Sequence, residues 1–188
     1  MKVVLMHGKD TSPEEKWYPW LINEIRKREI EIFAPELPKS KDPVLDEWLK
    51  ELNKINPDEN TVLIGHSRGG VAILRWLERL PKEKKTKKVI LVSTNSGDSE
   101  KVNKTENNKD FFTKEGYDFE KIKSHCNNFV VIHSKDDHIV PYQAGVENTK
   151  GLGAKFLSFE NKRHFGKGHD GKIQREFPEL LKEVLKTK

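Results

Sequence analysis

Residues 63–70 read Leu63-Ile64-Gly65-His66-Ser67-Arg68-Gly69-Gly70, a serine set between glycines. The apolar run TVLI (61–64) precedes this stretch, and VAILRWLERL (71–80), with helical spacing, follows it. The context therefore reads as strand, tight turn, helix. A serine on such a turn is held in a strained backbone conformation, and small residues at 65 and 69 let the turn close. Glycine-rich strand-to-helix turns also cradle phosphates, but neither GxGxxG nor GxxxxGK[ST] is present. We therefore expect Ser67 to stand at the carboxyl edge of a sheet as a nucleophile.

Working outward, short runs rich in Val, Ile and Phe recur at 3–6, 30–34, 62–64, 89–92, 129–133 and 156–159. Runs of this kind suit strands buried on both faces. Helical spacing appears from Trp17 to Arg28, from Leu45 to Leu52, over 71–80 up to Pro81, and over 177–185. Asp42-Pro43 reads as the cap and first turn of the second helix, and Pro178 lies near the start of the last. Alternating strands and helices predict an α/β fold, a three-layer sandwich around a mostly parallel sheet, in one domain over 1–188. Within segment 95–123, the stretch NSGDSEKVNKTENNKDFF (95–112) is too polar to hold a regular core element. We expect an excursion over the sheet, anchored by Phe111, Phe112, Tyr117 and Phe119, that can serve as a small lid.

A serine hydroxyl is a poor nucleophile without a base and a group that orients the base. The order expected in this fold is serine, acid, histidine. His133-Ser134-Lys135-Asp136-Asp137-His138-Ile139-Val140-Pro141 offers two aspartates at a strand end. Asp137, in the D-x-x-V-P arrangement, is the preferred acid, with Asp136 as its competitor. Beyond the last strand come His164 and His169; His164 is preferred as base because it lies a short loop after the strand, and His169 stays open. The oxyanion hole should use the backbone amides of Arg68 and Lys9, the latter just after His7-Gly8. A metal site built from His133, Asp136, Asp137, His138, His164 and His169 is the weaker reading. No H-x-x-x-H pair is present, and one cysteine excludes a thiolate cluster.

The chain has 188 residues, 34% hydrophobic and 35% charged, with a net charge of +5, a composition that suits a soluble protein. No apolar run approaches the ~20 residues of a membrane helix, and the first apolar run is too brief for a signal peptide. Cys126 is the only cysteine, so an intramolecular disulfide is excluded and a cytoplasmic location is expected. The lysines cluster most densely at 82–88, without interleaved aromatics, which reads as a solvated loop and not a nucleic-acid surface.

Taken together, these stretches resemble the small serine hydrolases of the α/β-hydrolase superfamily, the group of retinoblastoma-binding protein 9 and the bacterial YdeN-like proteins. The resemblance rests on His7-Gly8 with Trp17-Tyr18-Pro19-Trp20-Leu21, on Pro35-Glu36-Leu37-Pro38, and on GHSRGG with Leu74-Arg75-Trp76-Leu77. It continues through HSKDDHIVP, His164-Phe165 and Phe177-Pro178-Glu179-Leu180-Leu181. It implies a six-stranded sheet in the order 2-1-3-4-5-6 without a large cap, a triad of Ser67, Asp137 and His164, and a small ester or amide substrate; from the residues themselves we expect no cofactor, metal, nucleic acid or membrane partner. It departs at Arg163, where the family has glycine. Cys126 lacks the Leu and Glu of an L-x-C-x-E motif, so binding to a pocket protein is not implied. The competing expectation is a non-catalytic binding module on the same scaffold.

Overall fold

Six Val-, Ile- and Leu-rich runs form one parallel sheet in the computed structural model, which describes residues 1–102 and 110–186. In chain order the elements are β1 (Lys2–Met6), α1 (Tyr18–Arg26), β2 (Glu31–Phe33), α2 (Leu45–Asn53), β3 (Thr61–His66) and α3 (Arg68–Leu77). There follow β4 (Lys88–Val92), α4 (Phe119–Lys123), β5 (Phe129–Ser134), α5 (Tyr142–Leu152), β6 (Lys155–Phe159) and α6 (Pro178–Leu185). The strand order is β2-β1-β3-β4-β5-β6.

Each strand presents alternate residues to opposite faces, so the continuous apolar runs feed two cores. Val4, Met6, Leu63, Leu91 and Val131 pack under α2 and α3 with Trp48, Leu52, Val71 and Leu74. Val3, Leu5, Ile64, Ile90 and Ile132 pack under α1 and α6 with Leu21, Ile25, Leu180 and Val184. The inner strands β3, β4 and β5 are buried throughout, whereas the edge strands β2 and β6 are only partly so. Burial on both faces therefore holds for the middle of the sheet and not for its edges.

Two local expectations need correction. Asp42-Pro43 lies outside α2, whose N-cap is Val44, the carbonyl of which accepts the Trp48 amide. Beyond its polar 95–112 stretch the excursion carries the five-residue α4, capped where Asp118 accepts the Lys121 N–H at 3.0 Å. The lysine-rich 82–88 loop is not simply solvated. Lys88 is buried and its ammonium binds the Glu183 and Lys186 carbonyls at the end of α6, a favourable place for a cation.

Arg75, in the last turn of α3, anchors the excursion. Its guanidinium donates to the carbonyls of Gly97, Phe111 and Gly116 and lies over the Tyr117 ring at 4.7 Å. Phe111, Phe112 and Tyr117 are buried, as expected of anchors, while Phe119 is partly so. The tip of the expected lid, 103–109, lies outside the described residues. Among the described residues no helix is long and apolar enough to cross a membrane.

Candidate active site

The chain turns from β1 toward β2 on one side of the sheet and from β3 toward β4 on the other, so the loops after β1 and β3 diverge. Ligands of open α/β sheets sit at this switch point. Ser67 occupies the second of these loops at φ 52° and ψ −119°, a left-handed conformation costly for any residue with a Cβ. The turn is held by the Ser67 amide donating to the Val92 carbonyl at 2.8 Å. Gly65 and Gly69 are there for space. A Cβ on Gly65 would lie 2.3 Å from Gly70 Cα, and one on Gly69 would lie 2.2 Å from the Met6 carbonyl oxygen.

A cleft of about 490 Å³ opens above the sheet edge, lined among others by Gly8, Lys9, Lys16, Ser67, Arg68, Asn95, Val102, Phe112, Ile139 and His164. Ser67, His164 and the two expected oxyanion-loop residues thus share one cavity. Asp137 lies behind His164. Its fully buried carboxylate stands 2.9 and 3.1 Å from His164 Nδ1 and accepts the amides of Ile139 and Val140 at 2.9 and 3.0 Å. Burial pushes the Asp137 carboxyl up, but the His164 hydrogen bond and charge and the two amides outweigh it and hold it below the usual range. With Nδ1–H directed at the carboxylate, the neutral His164 ring keeps its lone pair on Nε2.

The competing pair is separated from this one. Asp136 binds His169 Nε2 at 2.6 Å on the outside, and the His169 side chain is 64% exposed. Asp136 also accepts the Ser134 hydroxyl and the Arg163 amide. Among the described residues no three His, Cys, Asp or Glu side chains converge as a metal site would require.

Three consecutive residues fix the base loop. The Arg163 amide donates to Asp136 at 2.9 Å, the His164 carbonyl accepts from His66 Nε2 at 3.0 Å, and the Phe165 carbonyl accepts from Trp17 Nε1 at 2.9 Å. Arg163 and Phe165 flank the histidine at φ 46° and 50°. At 163 the left-handed backbone is costly for a residue with a Cβ, and the bond to Asp136 helps hold arginine there.

Residues outside the expected triad brace the site. His66 donates through Nε2, so its Nδ1 accepts the Tyr18 hydroxyl at 2.6 Å, and Tyr18 in turn lies 3.4 Å from the Gly8 amide. This chain of contacts joins the loop after β1 to the base loop. His7 accepts the Leu37 amide on Nε2 at 3.0 Å and directs Nδ1–H at the Gly8 carbonyl at 2.8 Å, shaping the turn that carries Lys9. His133 donates to the Val140 carbonyl at 3.1 Å and lies 3.5 Å from Asp137. The Arg68 side chain packs 4.9 Å from both the Phe111 and Phe112 rings, tying the excursion to the start of α3.

Burial is the main cause that lowers the pKa of His7, His66 and His133. It outweighs the Gly8 bond of His7 and the Val140 bond of His133, and for His66 the charges of Lys16 and His164 act in the same direction. A histidine kept neutral by the fold adds stability that is complete above its unfolded pKa of ~6.5 and is lost as pH falls below it. Each can contribute at most about 1.4 kcal/mol per pH unit, so urea titrations from pH 7 to pH 5 are expected to show the unfolding free energy falling as the pH drops. Replacing His7 with Gln should make the slope shallower. A profile flat from pH 7 to 5 would contradict neutral burial.

The family model for serine hydrolases ("Ser_hydrolase") matches residues 3–176. The Bacillus subtilis (strain 168) protein YdeN is 32% identical over 166 residues, spanning 87% of this chain and 85% of that protein. The serine hydrolase RBBP9 of Rattus norvegicus is 28% identical over 173 residues, spanning 89% and 84%. The crystal structure of the B. subtilis ydeN gene product superposes with a TM-score of 0.84 at 27% identity, covering 97% of this chain and 96% of that one. With the sheet order and the serine turn already in place, the chain belongs to the serine hydrolase family of the α/β-hydrolase fold.

Proposed function

We propose that the chain hydrolyses a small ester or amide through a Ser67–His164–Asp137 triad. The observation that carries this reading is the buried Asp137–His164 pair, which places the histidine on the wall of the cleft that also holds the strained Ser67. His164 Nε2 takes the Ser67 proton as the oxygen attacks the carbonyl. Asp137 holds the ring in that tautomer and stabilises the imidazolium that forms. The tetrahedral oxyanion is received by the backbone amides of Arg68 and Lys9, each donor worth ~3 kcal/mol in the transition state. His164 then protonates the leaving group, and water, activated by the same nitrogen, releases the acyl group from Ser67.

Every proton in this cycle is moved by one imidazole, so no cofactor enters any step. Cys126, the only cysteine in the chain, is buried and contacts Asn128, which suits a reducing cytoplasmic setting. The test is steady-state turnover of 4-nitrophenyl acetate and butyrate. Saturable hydrolysis that phenylmethylsulfonyl fluoride abolishes supports the reading. Turnover no faster than buffer for these esters and for the matching anilides would count against it.

A further inference from the structure

Lys16 lies on the segment between β1 and α1, where φ of 57° departs from ordinary backbone geometry. It lines the same cleft as Ser67 and His164. Its stem runs along the base loop, so that a Cβ on Gly166 would stand 3.3 Å from Lys16 Cε, and its ammonium is 6.0 Å from the Tyr18 ring centre. Among the described residues this ammonium makes no hydrogen bond and no ion pair. The nearby acids attract it without forming an ion pair. Asp10 and Glu15 are exposed at the cleft mouth, and the Glu15 carboxylate is engaged by the Ser12 amide at 2.9 Å.

A half-buried cation in a catalytic cleft, with only a ring face near it and neither a hydrogen bond nor an ion pair among the described residues, has lost hydration that an incoming anion would replace. Lys9 and Arg68 add positive charge to the same walls. We propose that the substrate carries a carboxylate that pairs with Lys16, so that the enzyme prefers monoanionic esters or amides over neutral ones of the same shape. This rests on the serine hydrolase reading of the site. A monoanion fits better than a phosphate dianion because one ammonium faces it while Asp10 and Glu15 repel additional negative charge. Burial lowers the Lys16 pKa against the pull of Glu15 and Asp10, and a bound carboxylate would reverse that cost.

The experiment compares esters with and without the charge. One arm carries it on the acyl chain, mono-4-nitrophenyl adipate against its methyl ester. The other carries it on the alcohol, 4-acetoxybenzoate against methyl 4-acetoxybenzoate. The quantity read is the anionic-to-neutral ratio of kcat/KM. It is expected to exceed about tenfold in one arm for the wild type, mostly through KM, to fall by about tenfold or more in Lys16→Met, and to persist in Lys16→Arg. Met keeps the stem packing, so a purely structural role for Lys16 would leave the ratio unmoved. An equal ratio in wild type and Lys16→Met in both arms overturns the proposal, as does a wild-type preference for the neutral ester in both. Failure of the hydrolase reading looks different: no ester of either charge is turned over, and the anion site falls with it.

Discussion

Ser67→Ala is expected to lower ester kcat by about 10⁴-fold or more, with little change in fold stability. The alanine keeps the backbone amides of the turn and loses only the attacking oxygen, so what survives is the modest acceleration from binding and oxyanion contacts. The substitution also leaves the left-handed strain at position 67 in place, since alanine carries a Cβ as serine does. Ser67→Gly removes that strain. It should be as inactive as Ser67→Ala and yet unfold at the same or a higher temperature, a combination that separates catalytic loss from structural loss. Thermal melts run beside the assay check this directly.

The second large effect discriminates between the histidines. His164→Ala should cost about 10⁴-fold in kcat, because it removes both the base and the leaving-group acid, whereas His169→Ala should cost less than about threefold. Asp137→Asn should approach the His164 variant, since an amide cannot favour the Nδ1–H tautomer, and Asp136→Asn should act on stability. Asp136 supports the Arg163 backbone and the Ser134 hydroxyl, so its loss loosens the base loop without touching the reacting atoms. A large effect at His169 with a small one at His164 would reverse the assignment of the pair.

How much of this was visible in the residues depends on whether neighbours in sequence or neighbours in space carry the signal. The strands were legible because continuous Val and Ile runs have few other homes, and the serine turn because Gly65 and Gly69 meet backbone that no side chain could clear. Helix α5 was not legible. Its sequence, YQAGVENTKGL, is interrupted by glycines that lower helix propensity. Those glycines exist for packing: a Cβ on Gly145 would lie 2.6 Å from His133, and one on Gly151 would lie 2.4 Å from Phe119. The tertiary contact that requires them is invisible along the chain.

The same limit applies to the site. His164 and His169 sit on one short loop with similar chemistry, and only the third dimension directs one at Asp137 and the other at Asp136. His66 offered a weak signal, as a polar residue ending a strand whose every position is buried. Such a residue must find partners, and it finds Tyr18 and the His164 carbonyl. Lys16 offered none, because Glu14-Glu15-Lys16 reads as a solvated charge run. Its left-handed backbone, which no pattern in the sequence announces, accompanies its place in the cleft.

The most direct measurement is covalent labelling by a fluorophosphonate probe, followed by digestion and mass mapping of the adduct. The account predicts stoichiometric phosphonylation of the peptide containing Ser67, much slower labelling in His164→Ala, unchanged labelling in His169→Ala, and none in Ser67→Ala. An unlabelled wild type, or an adduct that persists in Ser67→Ala, would contradict it.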